Sequence, residues 1–213
     1  MPDDPTEVGE IAITGQRRAA PEFLFPVHSY PLPEGLEHDN EEVGGEGTVG
    51  SICDDPALRE EWDKDAAAAA AKAAFEAAAA GRGEQLGHRE QTSVIHRGAE
   101  GETTYGPVTP GPIGTGSASF DFTGINLRDV VGIIHNHPGG SQRPSGPDWA
   151  ILDDLKLRVT NAGGDPSAVR MYIVAPTYTA GNPNPNWRIF VYDDRNRTGG
   201  ETGPEVNPDG VPC

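Results

Sequence analysis

Basic side chains are scarce in this chain: 16 Lys and Arg stand against 33 Asp and Glu, and only three of the 213 residues are lysine. A surface that binds phosphate needs clustered cations, so the scarcity argues against a nucleic-acid partner. Cysteine is scarcer still. Cys53 and Cys213 allow at most one disulfide and no spaced framework, which leaves the redox compartment open. No apolar run reaches membrane-spanning length, and the acidic N-terminus lacks the apolar core of a secretory signal, so neither a membrane span nor a classical signal peptide is expected. Hydrophobic residues make up only 35%, while Gly (28) and Pro (20) are abundant. That balance describes a folded part diluted by irregular flanks.

The charge is unevenly placed. Residues 1–65 hold 17 acidic and 4 basic side chains, so most of the net −17 belongs to the N-terminal third. Residues 1–53 therefore read as an acidic, Pro/Gly-rich, mostly disordered leader, within which residues 10–18 form either a short strand or a docking peptide. Residues 54–195 read as the folded domain and 196–213 as an irregular tail. Asp54-Asp55-Pro56 looks like a helix start, followed by an alanine-rich helix over 57–80 with Leu58, Trp62 and Phe75 as apolar anchors and Gly81 and Gly83 as its stop. Strands are predicted at 92–96, 103–108 and 119–122, and then at 129–134, whose apolar run suits a central strand buried on both faces. Apolar residues at 149, 151, 152, 155 and 159 make a second helical stripe. Residues 171–175 and 187–192 read as two more strands. The fold class is α/β: one sheet with helices against it.

The chemistry lies in residues 135–148, His-Asn-His-Pro-Gly-Gly-Ser-Gln-Arg-Pro-Ser-Gly-Pro-Asp. His135 and His137, two residues apart at the end of an extended segment, share a face. Asp148, beyond a Pro/Gly loop that can turn back, supplies a third ligand. Two imidazoles and a carboxylate suit Zn²⁺, and three protein ligands leave the fourth position of a catalytic zinc open. Ser145 stands three residues before Asp148, which also fits the N-cap of the following helix, and the two roles are compatible. At average residue usage this pattern arises by chance in on the order of one chain in a thousand.

His-X-His, seven residues, Ser, two residues, Asp resembles the JAMM motif of the MPN+ metalloproteases. It is also similar to RadC-like proteins and to the HTHP-type domain at the C-termini of RHS-repeat polymorphic toxins, which likewise starts with an alanine-rich helix. The resemblance covers about residues 65–192. It implies a cytidine-deaminase-like sandwich, zinc held by His135, His137 and Asp148, and Ser145 supporting the tetrahedral intermediate. It also implies an upstream glutamate as general base, in a Glu-X-X-Gly-hydrophobic context. Glu90 matches best, with Ser93 in place of the glycine; Glu84 is the next candidate, and Glu100 and Glu102 fall in a turn. His28, His38, His88 and His96 take the ordinary reading of surface histidines, and Ser141 lies too close to His137 to be the motif serine.

The expected activity is zinc-dependent hydrolysis of an amide or isopeptide bond in a protein or peptide substrate. Two other readings stay open. One is a toxin or effector domain using the same zinc site, with an immunity protein as partner in place of a ubiquitin-like one. The other is a metal-binding scaffold without catalysis, which follows if Glu90 is not at the site. Location is equally open between the cytoplasm and delivery as an effector.

Overall fold

The computed structural model describes residues 11–12, 55–181, 184–197 and 202–206. The first long element, α1 (Pro56–Gly81), begins where Asp55 caps it: the Asp55 side chain accepts from the amides of Ala57 and Leu58, and Pro56 occupies a position that needs no amide donor. Its buried stripe runs through Lys64, Ala67, Ala68, Ala71, Phe75 and Ala79. The small alanine side chains let the helix lie close against the sheet. Leu58, expected as an anchor, is instead exposed, because at 3.6 residues per turn it lies about 100° around the helix from Phe75.

The strands are β1 (Ile11–Ala12), β2 (Gln91–Arg97), β3 (Thr103–Tyr105), β4 (Thr109–Pro110), β5 (Ser119–Phe120), β6 (Val130–Asn136), β7 (Arg170–Thr177), β8 (Asn186–Tyr192) and β9 (Glu205–Val206), with α2 (Gly146–Asn161) between β6 and β7. Seven of them form one mixed sheet in the order β3-β2-β6-β7-β8-β9, with β4 added to β2. β6 and β7 are parallel, as a strand-helix-strand crossover requires, and the other pairs are antiparallel. All seven residues of β6 are buried, in keeping with its apolar run.

Two hydrophobic clusters divide the core. Ile151, Leu152, Leu155 and Val159 of α2 meet Val94, Ile133, Met171, Ile173 and Phe190 on one face of the sheet. The alanines and Phe75 of α1 meet Ile95, Ile134, Tyr172, Val174 and Ile189 on the other. The domain is thus a mixed α/β sandwich with one long helix on each face.

Of the strand expected over 103–108 only Thr103–Tyr105 forms, as β3; residues 106–108 are irregular, and β4 follows separately at Thr109–Pro110. The C-terminal segment, expected to be irregular, contributes β9, which pairs with β8 and buries Val206. Of the acidic leader, only Ile11–Ala12 is described; it pairs antiparallel with β5 and lies within the 10–18 stretch read as a strand or docking peptide. The rest of the leader, Cys53, Cys213, His28 and His38 lie outside the described residues.

One polar seam beneath α1 was not anticipated. Lys64 is almost fully buried, bonded to Glu61 at 2.6 Å and to the Ala168 carbonyl at 3.4 Å. Beside it the buried Tyr172 hydroxyl donates to Asp65 at 2.9 Å. Burial raises the Asp65 carboxyl above its usual value; Tyr172, Arg170 and Lys64 only partly oppose this. With the folded-state pKa above the unfolded one, the stability carried by the protonated form is present in acid and lost as pH rises through the folded pKa. Asp65→Asn stays neutral and still accepts from Tyr172. It is therefore expected to gain on the wild type in thermal melts as the pH rises above the ordinary carboxylate range. A Tm difference that does not move with pH would contradict this.

Candidate metal centre

Three elements bring the site together at one end of the sheet. Because β2 runs antiparallel to β6 with Thr92 opposite His135, the start of β2 lies beside the end of β6, and Glu90 immediately precedes β2. The histidine strand is longer than its apolar run suggests: His135 and Asn136 belong to β6 itself. His137 continues the parallel pairing, its amide donating to the Val174 carbonyl at 2.9 Å. Alternation then puts His135 and His137 on the α2 face and Asn136 on the α1 face.

Asp148 arrives from α2. Its helix opens with a reciprocal capping box: Ser145 Oγ accepts from the Asp148 amide at 3.3 Å, and Asp148 Oδ2 accepts from the Ser145 amide at 2.5 Å. The cap holds the carboxylate facing the imidazoles, with Oδ1 at 3.5 Å from His135 Nε2 and Oδ2 at 3.4 Å from His137 Nε2. The two Nε2 atoms are 2.9 Å apart. One ligand atom from each of the three residues falls within 4.8 Å of the others, a grouping that could hold a metal ion.

The surroundings fix these groups. His137 Nδ1 lies 2.8 Å from the Ser141 carbonyl; donating there puts the proton on Nδ1 and leaves the Nε2 lone pair facing the site. The Ser141 backbone thus orients a candidate ligand, a role no side-chain pattern reveals. The Tyr192 hydroxyl donates to the Gln142 carbonyl and ties down the same loop. Phe120 meets His135 edge-on, with ring centroids 6.2 Å apart, and the Thr92 hydroxyl holds the Ser119 carbonyl at 2.5 Å. β5 therefore forms a wall against His135, and β1 pairs with that wall.

The electrostatics favour positive charge. Burial would raise the Asp148 carboxyl, but His135 and His137 outweigh it and hold the group well below the usual carboxylate range. Burial would lower the His135 imidazole, yet the Asp148 carboxylate, helped by Glu90, raises it. Glu90 is 3% exposed. Its carboxyl is raised by burial, opposed by both histidines and reinforced by Asp148, so it shares the field of all three candidate ligands. Its Oε1 is buried with no hydrogen-bond partner among the described residues.

The other sequence candidates lie elsewhere. Glu84 is paired with Arg82 and Arg89, which lower its carboxyl. Glu102 accepts from the Glu100 amide in an exposed turn. His88 accepts from the Gln85 amide, and His96 contacts the Arg97 carbonyl. No protein-family profile matches the chain, and no curated protein sequence matches it.

Proposed function

We propose that this chain is a zinc-dependent hydrolase of amide or isopeptide bonds, of the JAMM/MPN+ kind that its motif resembles, on a cytidine-deaminase-like sandwich. The observation that carries the reading is the convergence of His135 Nε2, His137 Nε2 and the Asp148 carboxylate, electrostatically coupled to the buried Glu90 carboxylate, whose Oε1 has no hydrogen-bond partner among the described residues. These residues fit a divalent metal. Two closely spaced imidazole nitrogens and two buried carboxylates leave lone pairs and negative charge that a dication offsets, and N₂O donation suits zinc. When bound, zinc supplies Lewis acidity, making water a nucleophile near neutral pH and polarising a carbonyl.

The protein's own groups do the rest. His135, His137 and Asp148 hold the ion. Glu90 Oε1, with no partner among the described residues to compete for its lone pairs, takes the proton of the attacking water and returns it to the leaving nitrogen. The Ser145 hydroxyl accepts from the Asp148 amide, which leaves its own proton free to donate to the oxyanion that develops on the carbonyl oxygen. Ser145 is exposed and so within a substrate's reach. The substrate is a protein or peptide. The likeness to the RHS-type toxin domains gives the same site an effector's target, and an adjacent immunity gene, as opposed to a ubiquitin-like conjugation gene, separates the two.

Elemental analysis of the purified full chain is expected to find about one zinc per chain. A mass-spectrometric cleavage screen is expected to show peptide or isopeptide products that a chelator abolishes. Iron or no metal in place of zinc, or cleavage that survives metal removal, would sink the proposal.

A further inference from the structure

We propose that Asn136, between the two histidines, is the positioning residue that sets Glu90 against the metal ligands; this rests on the metal-hydrolase reading above. Asn136 is fully buried on the face of β6 opposite the imidazoles. Its Oδ1 accepts from the Gln91 amide at 2.5 Å, and its Nδ2 donates to the carbonyls of Leu86 at 2.8 Å and Arg89 at 3.0 Å. These three partners bracket Glu90 in sequence. The regular β2–β6 ladder begins at Thr92 and His135, so the segment just before it is held by the Asn136 side chain.

The amide matches this task in chemistry as well as place. Two carbonyls need two donors and one amide needs one acceptor, and Asn supplies all three from one planar group. Asp at this position would set a carboxylate against two carbonyl oxygens. Ala would leave three backbone groups unpaired, each costly inside a protein. Gln91 and Arg89 add support around the same segment: Gln91 Nε2 donates to the Phe75 carbonyl at 3.1 Å, and Arg89 donates to the Gly111 carbonyl. The Glu90 carbonyl in turn accepts from the Gly111 amide at 2.8 Å. The backbone on either side of Glu90 is therefore fixed to α1 and to the strand that carries the imidazoles, and the Glu90 side chain is aimed from a rigid base.

The test uses the full chain with Co²⁺ in place of zinc, because the visible absorption of cobalt reports what surrounds the ion. Glu90→Gln is expected to shift that absorption. Asn136→Ser, too short to reach its three partners, should bind cobalt at wild-type stoichiometry and shift the absorption in the same direction. The double variant should shift no further than Glu90→Gln alone, because Asn136 acts through Glu90. Amide exchange over residues 86–91 should quicken by about tenfold or more, while β6, β7 and α2 keep their protection. If Asn136→Ser does not fold, Asn136→Asp keeps the acceptor for Gln91 and carries the same expectation for residues 86–89. Shifts that add, or unchanged exchange over 86–91, overturn the proposal alone. A wild-type chain that takes up no cobalt overturns the metal reading, and the proposal with it.

Discussion

Asp148→Asn is expected to weaken metal binding by about a hundredfold or more while leaving the fold intact. Losing a partner outside the ligand set already costs about 10- to 100-fold in affinity, and here a ligand itself changes from anion to neutral amide. The structure explains why this variant is cleaner than removing a histidine. An Asn oxygen can still accept from the Ser145 amide, as Asp148 Oδ2 does at 2.5 Å, so the start of α2 keeps its cap. His135 by contrast is 1% exposed and packs on Phe120, so His135→Ala opens a cavity and costs about 2 kcal/mol or more before any metal is lost. A metal at a hundred times its Kd stabilises the folded state by about 2.7 kcal/mol, roughly 5–10 °C in Tm for a domain of this size. Zinc added back to protein stripped by a chelator should raise the wild-type melting temperature by about that much and leave Asp148→Asn nearly unmoved. Equal zinc-induced shifts in the two proteins would exclude Asp148 as a ligand.

The candidate ligand group is legible in the sequence because its geometry is local. A period of two on a strand puts His135 and His137 on one face, and a capping box fixes Asp148 within the first turn of its helix; neither depends on distant contacts. Glu90 was found through the resemblance alone, since its approach to the histidines depends on the antiparallel register that sets Thr92 opposite His135. Asn136 carried no sequence signal at all: a lone Asn on an apolar strand gives no hint that it grips a turn 45 to 50 residues upstream. The same division holds for the fold. The apolar run over β6 and the alanine stripe of α1 are periodic and strong. The two-residue strands β4 and β9 are too short to carry a pattern, and the order of strands in the sheet follows from the α2 crossover and from pairing that single-strand periodicity does not encode. The buried Lys64–Asp65 seam was hidden because charged residues in an alanine-rich helix read as its solvent face.

Glu90→Gln is expected to keep metal and fold while losing about a hundredfold or more of the hydrolysis rate, the scale of removing a general base. Gln has nearly the same shape, so packing around this buried side chain is preserved. Its amide oxygen cannot accept a proton at any working pH, which removes proton transfer and little else. Three ligands remain in His135, His137 and Asp148, so zinc stoichiometry should match wild type. The amide also has no ionised form to desolvate at a position where burial raises the carboxyl, so the melting temperature should not fall. The two carboxylate variants therefore fail in opposite ways: Asp148→Asn loses metal first and activity with it, whereas Glu90→Gln loses activity at full metal occupancy. Glu84 offers no substitute base, since Arg82 and Arg89 engage its carboxylate and lower its pKa; Glu84→Gln should leave the rate within about twofold. Zinc loss in Glu90→Gln as severe as in Asp148→Asn would make Glu90 a ligand, and full activity at full occupancy would remove it from the reaction.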